Sequence, residues 1–111
     1  MIISQEVGEM DSKAIQAVLD SQIESGKCVE IYLENKDMIY VQKQGEKDYV
    51  YGYYPNGGNT NEEWFAKTCD TYKLDKGMTI EFTHDSLGYN ETREFIITNI
   101  VKIYVGDEWS N

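Results

Sequence analysis

Basic side chains are scarce in this sequence: Lys and Arg number 10 against 20 Asp and Glu, a formal charge of −10. Phosphate backbones are bound chiefly through neutralisation by Lys and Arg, so sequence-independent nucleic-acid binding is disfavoured. A basic protein surface is the more natural partner, because opposite fields steer the encounter. The bland alternative is that acidity keeps a small protein soluble. Proline occurs once and hydrophobic residues make up 41%, which argues against a disordered tail. No apolar run approaches the ~20 residues that a membrane-spanning helix needs. The opening residues, Met1 to Glu6, have no basic region followed by an apolar stretch, so no signal peptide is expected. Cytoplasm with reduced thiols is the expected location. On that view the sequon Asn90-Glu91-Thr92 is a chance match.

Groups suited to catalysis are equally sparse. Cys28 and Cys69 are far apart and form neither a CxxC pair nor a zinc spacing. His84 is the only histidine; as a base it would need Cys28, Cys69 or a serine nearby, and no GxSxG elbow occurs. Gly57-Gly58 lacks the Lys-Ser/Thr of a phosphate loop and the G-x-G-x-x-G spacing. An EF-hand loop beginning at Asn56 would need its bidentate glutamate where Lys67 stands. Glu30 and Glu34 share a strand face about 13 Å apart, wider than either glycosidase mechanism uses. No catalytic residue, cofactor or metal site is therefore assigned, and a non-enzyme is expected.

What is present is patterned. A chain of 111 residues fits one domain, 1–111. Ile15, Val18, Leu19 and Ile23 predict a helix from about Asp11 to Ser25, capped by Asp11 or Ser12 and ended at Gly26. Val29, Ile31 and Leu33 alternate with Glu30, Tyr32 and Glu34, a strand with one wet face. Met38 to Gln44 and Asp48 to Tyr54 read as further strands joined by short turns, which favours antiparallel neighbours. Thr60-Asn61-Glu62-Glu63 reads as a capping box, predicting a second helix to about Tyr72 with Trp64 or Phe65, Thr68, Cys69 and Tyr72 inward and Lys76-Gly77 ending the segment. Met78 to Thr83 is extended, His84 to Glu91 is a loop, and Thr92 to Val105 is β-rich with a change of face near Asn99. The expected fold is α+β: an antiparallel sheet of about five to six strands with two helices packed on it. A small barrel with appended helices, Sm-like or SH3-like in element order, is the alternative.

Nine tyrosines are the most informative feature. Tyrosine offers a rigid contact surface with a polar tip, which favours it at interfaces; ordinary strand packing is the competing explanation. Tyr49, Tyr51 and Tyr53 share one strand face, and Tyr32 stands between Glu30 and Glu34. Asp85, Glu91 and Glu94 surround the late loop, and Asp107 and Glu108 end the chain's acidic run. These eleven side chains are the candidate partner-binding residues. One strand presents a same-face side chain only every ~6.7 Å, against one DNA charge per ~1.7 Å of axis. Imitating DNA would therefore require several acidic elements to meet on one face.

A short, acidic, tyrosine-rich chain without a catalytic signature resembles, in general character, the small phage and mobile-element inhibitors, including anti-CRISPR proteins and other DNA mimics. That resemblance implies an inhibitor blocking a basic nucleic-acid-binding surface of a host defence protein, such as a CRISPR nuclease. It implies no direct contact with nucleic acid or membrane. The competing classes are an immunity protein that neutralises a toxin, a small ligand-binding or Sm-like module, and a homo-oligomer that buries its tyrosine face.

Overall fold

The computed structural model describes residues 3–6, 11–55, 65–75 and 78–110. Its helix α1 spans Ser12–Glu24. Asp11 caps it, accepting the Ala14 N–H at 2.8 Å. This satisfies one of the amide groups that a helix start leaves without a partner. Ile15, Leu19 and Ile23 recur every four residues and are all buried, with Leu19 and Ile23 at 0% exposure. Each fully buried side chain of this size contributes about 1.5–3 kcal/mol. Gly26 then takes the left-handed conformation at φ 83° and ends the segment.

Nine strands follow or precede the helix among the described residues: β1 Ile3–Glu6, β2 Cys28–Leu33, β3 Met38–Gly45, β4 Asp48–Tyr54, β5 Phe65–Cys69, β6 Thr71–Leu74, β7 Thr79–Ser86, β8 Tyr89–Ile96 and β9 Ile100–Gly106. They form two antiparallel sheets. The larger runs β1-β9-β2-β3-β4-β5 and the smaller β6-β7-β8. Both sheets are open, so the expected α+β character holds and the barrel does not form. β5 and β6 are one run of chain bent at Asp70, whose N–H donates to Thr83 O at 2.9 Å. The bend carries the chain from the edge of the larger sheet into the smaller one.

The core lies between the larger sheet and a second layer made of α1 and the smaller sheet. Val29, Ile31, Ile39, Val41, Ile103 and Val105 face it from the larger sheet. Leu74, Ile80, Phe82 and Ile97 meet them from the other side. Tyr51 stacks flat on Phe82, with centroids 4.2 Å apart at 8°. Tyr49 meets Tyr72 edge-on at 5.4 Å, and Tyr53 packs on Phe95 at 5.3 Å.

The second helix is a correction. Phe65 to Cys69 pair with β4 from Tyr49↔Cys69 to Tyr53↔Phe65, and Thr71 to Leu74 pair with β7. The proposed capping box, Thr60 to Glu63, lies outside the described residues, as do Trp64 and Lys76-Gly77. Thr68, expected inward, is exposed, whereas Cys69 and Tyr72 do turn inward, as a helix at three-residue spacing would have them. Here the bend at Asp70 resets the strand alternation, so two short strands produce the same inward pair. Long-range pairing decides the element where local spacing fits both.

His84 to Glu91 is also not a loop. β7 continues to Ser86 and turns through Leu87-Gly88 into β8, with Ser86 opposite Tyr89. The segment after Thr92 proves to be two strands in different sheets, divided at residues 97–99.

Candidate functional site

The second face of the larger sheet is where the sequence expected water beside Glu30, and it is covered. Glu30 is 2% exposed. The chain after β9 folds across this face. Ser110 donates its N–H to Glu30 Oε2 at 2.8 Å and its hydroxyl to Glu30 Oε1 at 2.6 Å. The Tyr32 hydroxyl donates to Glu30 Oε1 as well. Burial, followed by this bond to Glu30, pushes the Tyr32 phenol above its ordinary value. Trp109 sits edge-on against Tyr40, with centroids 5.1 Å apart. Tyr104 donates to Glu108 O at 2.8 Å, and Asp107 pairs with Lys27. The Lys27 ammonium holds the Asp107 carboxyl down to about 2. Glu30 is therefore the buried anchor of a C-terminal strap, and Asp107 and Glu108 belong to the strap itself.

The tyrosine face is likewise relocated. Tyr49 and Tyr51 are buried at 7% and 2% exposure, and Tyr53 is half-buried against Phe95. Their rings join the two sheets, so they offer a partner little surface. Tyr32 keeps part of its surface, with the Lys102 ammonium 5.4 Å from its ring centroid. Glu34 is exposed just beyond β2, where its N–H donates to Asn99 O at 2.9 Å.

The late acids do not form one sheet of charge. Glu91 faces Lys67 at 3.4 Å and Arg93 at 3.8 Å and accepts the Tyr89 hydroxyl at 3.1 Å. The Tyr89 bond, with Lys67 and Arg93 beside it, holds Glu91 below the usual carboxylate range. Glu94 is exposed on β8 opposite Glu81. Asp85 is exposed at the end of β7, and its N–H donates to Asp70 Oδ2 at 2.6 Å.

That contact leads to the place where acids do meet. An open groove of about 360 Å³ runs between the last turns of α1, the β3–β4 turn and the bend at Asp70. Asp20, Glu24, Glu46 and Asp70 line it, with Lys47 the one base among the described lining residues. Asp20 and Glu24 are four residues apart and so share a helix face. The Tyr72 hydroxyl donates to Asp20 Oδ1 at 2.7 Å, and the Tyr49 hydroxyl donates to Glu24 Oε2 at 3.1 Å. Burial and then Glu24 push the Tyr49 phenol up to about 12, and burial and Asp20 raise Tyr72 further. Both phenols stay protonated, so they orient the two carboxylates as fixed donors. Lys43 bonds Glu24 Oε1 at 3.1 Å and lies 5.9 Å from the Tyr49 ring centroid. Beside the groove, Lys43 thus already sets one ammonium group against a carboxylate and an aromatic face. Of the sequence-chosen acids only Asp85 adjoins it. The i,i+4 pair Asp20 and Glu24 was a signal available in the sequence; nothing there linked it to Glu46 or Asp70.

His84 packs edge-on to Tyr89 at 6.0 Å and lines a second open groove of about 560 Å³ with Lys67 and Glu91. Burial pushes the Cys69 thiol up to about 12, and burial with Glu30 nearby raises Cys28, so neither thiol ionises near neutral pH. Among the described residues no three His, Cys, Asp or Glu side chains are placed to hold a metal ion. No described helix is long and apolar enough to cross a membrane.

An antiparallel α+β chain with an acidic, tyrosine-floored groove is the class that fold and site define. Comparison with protein-family models, with curated proteins and with solved structures finds no match for the chain.

Proposed function

We propose that this chain is a non-catalytic binding protein that docks a basic protein surface on its acidic groove. In the finer reading it inhibits a host defence protein, such as a CRISPR nuclease, by occupying the surface that would otherwise hold nucleic acid. The observation that carries this reading is the meeting of Asp20, Glu24, Glu46 and Asp70, from three separate elements, around the hydroxyls of Tyr49 and Tyr72. Carboxylates held by buried phenols are preorganised for Lys or Arg, so less ordering is required on binding. Asp85 extends the same charge outward from Asp70. The net charge of −10 would speed the encounter with a basic partner and keep the chain away from phosphate backbones.

The test uses a purified guide-loaded CRISPR nuclease and its plasmid target. The chain is added at low and at raised salt, and both DNA binding and cleavage are followed. The expected result is inhibition that weakens as salt screens the contact. Glu46→Lys, at an exposed turn position, should weaken it at least tenfold while leaving the fold intact. No effect on DNA binding or cleavage at low salt would end the inhibitor reading. Inhibition unchanged by Glu46→Lys and by salt would end the assignment to the groove.

A further inference from the structure

β8 is an edge strand of unusual character. Among the described residues it has β7 on one side and no strand on the other. Exposed edges normally carry charged side chains of one sign, lysine above all, or a proline or bulge that discourages pairing. β8, Tyr89–Ile96, has no lysine, proline or bulge; its charges, Glu91, Arg93 and Glu94, are of mixed sign, and it is eight residues long in unbroken register with β7. Three of the most exposed large apolar side chains lie along it and its turn, Leu87 at 104% and Tyr89 at 52% at one end and Ile96 at 65% at the other.

The direction of its backbone groups follows from the ladder. Ile97 N–H donates to Met78 O at 2.7 Å, and antiparallel bonding alternates along the strand. Residues 91, 93 and 95 therefore bond to β7, while 90, 92, 94 and 96 direct their N–H and C=O groups to the open edge.

We propose that a second copy of this chain pairs with that edge, β8 against β8 in antiparallel sense, about a two-fold axis at Thr92. The occupant is chosen by self-complementarity. With Thr92 facing its own copy, Glu91 stands opposite Arg93 of the other copy, twice over. Asn90 stands opposite Glu94, and Tyr89 opposite Phe95. Ile96 comes beside the turn that carries Leu87. A shift by one pleat in either direction sets Glu91 against Glu91 or Arg93 against Arg93, which like-charge repulsion disfavours. The outer face supports the same register. Thr71, Thr83 and Thr92 are cross-strand neighbours, and the Thr83 and Thr92 hydroxyls bond at 3.0 Å. Pairing at Thr92 continues this threonine row across a six-stranded intermolecular sheet. The contact is isologous, so it closes at two copies and does not propagate. It leaves the acidic groove on the far side of the bend unused.

Sedimentation velocity over a concentration series tests the proposal. Wild type should move from monomer to dimer as concentration rises. Thr92→Pro removes an outward N–H without breaking a bond to β7, and should weaken association at least tenfold with an unchanged circular dichroism spectrum. Glu91→Arg and Arg93→Glu each set like charges opposite one another and should be monomeric alone. Mixed in equal amounts they should associate, since every cross pair is then opposite in sign. A wild type that stays monomeric at millimolar concentration overturns the proposal. So does a dimer that Thr92→Pro leaves intact, or a mixture of the two folded charge variants that fails to associate.

Discussion

Replacing Tyr51 with alanine tests whether the strand tyrosines are core or contact surface. Tyr51 is 2% exposed and stacks on Phe82 with centroids 4.2 Å apart. Truncating a buried aromatic to alanine costs about 3–5 kcal/mol, through lost transfer energy and the cavity left behind. The stacked pair adds about 0.5–1.5 kcal/mol beyond area. The expected loss of about 3.5–6.5 kcal/mol is a large share of the stability of a typical domain, about 5–15 kcal/mol. Tyr51→Ala should therefore be severely destabilised. Tyr51→Leu leaves a smaller void than alanine and loses the stack, and is the graded probe. Equilibrium urea unfolding, with Phe82→Leu and the double variant, completes a cycle. The coupling expected between the two positions is about 0.5–1.5 kcal/mol. If Tyr51→Ala cost less than about 1 kcal/mol, as an exposed tyrosine does, and the cycle gave no coupling, the two-sheet core described above would be wrong.

Three further outcomes are expected. Gly52→Ala places a Cβ 2.2 Å from Tyr40 Cζ, so the ring must leave its seat and lose Trp109; a loss of about 1–3 kcal/mol with altered Trp109 fluorescence is predicted, and a spectrum and melting curve like wild type would contradict it. Glu30→Ala deprives Ser110 and Tyr32 of their acceptor and should cost about 1.5–3 kcal/mol; amide exchange at Ser110 should speed up, whereas Glu30→Gln should keep most of the protection. In alkali, Tyr49 and Tyr51 are pushed up to about 12 by burial and Tyr72 is raised further, against about 10 in an unfolded chain. The fold favours the neutral phenol, so this stabilisation is complete below about pH 10 and declines as pH rises towards 12. Phenolate absorbance should lag for these side chains until the circular dichroism signal is lost; a single titration of all nine tyrosines near pH 10 in a still-folded chain would refute it.

Local chemistry determined much of this protein. Asp11, the four-residue spacing of Ile15, Leu19 and Ile23, and Gly26 define α1 without help from elsewhere. Alternation and short turns were enough for β2, β3 and β4 and their antiparallel order. What depends on distant partners was decided only by the tertiary structure. β5 and β6 share inward positions with a helix, and only their pairing with β4 and β7 makes them strands. Tyr51 carries the same strand signal whether it faces water or Phe82, and the smaller sheet settles which. Glu30 alternates as an exposed residue should, yet Ser110, eighty positions later, folds over it. Acidic excess is a property of composition; its position is not. Asp20, Glu24, Glu46 and Asp70 meet because a helix end, a turn and a strand bend are brought together by the core beneath them, and no spacing along the chain encodes that meeting.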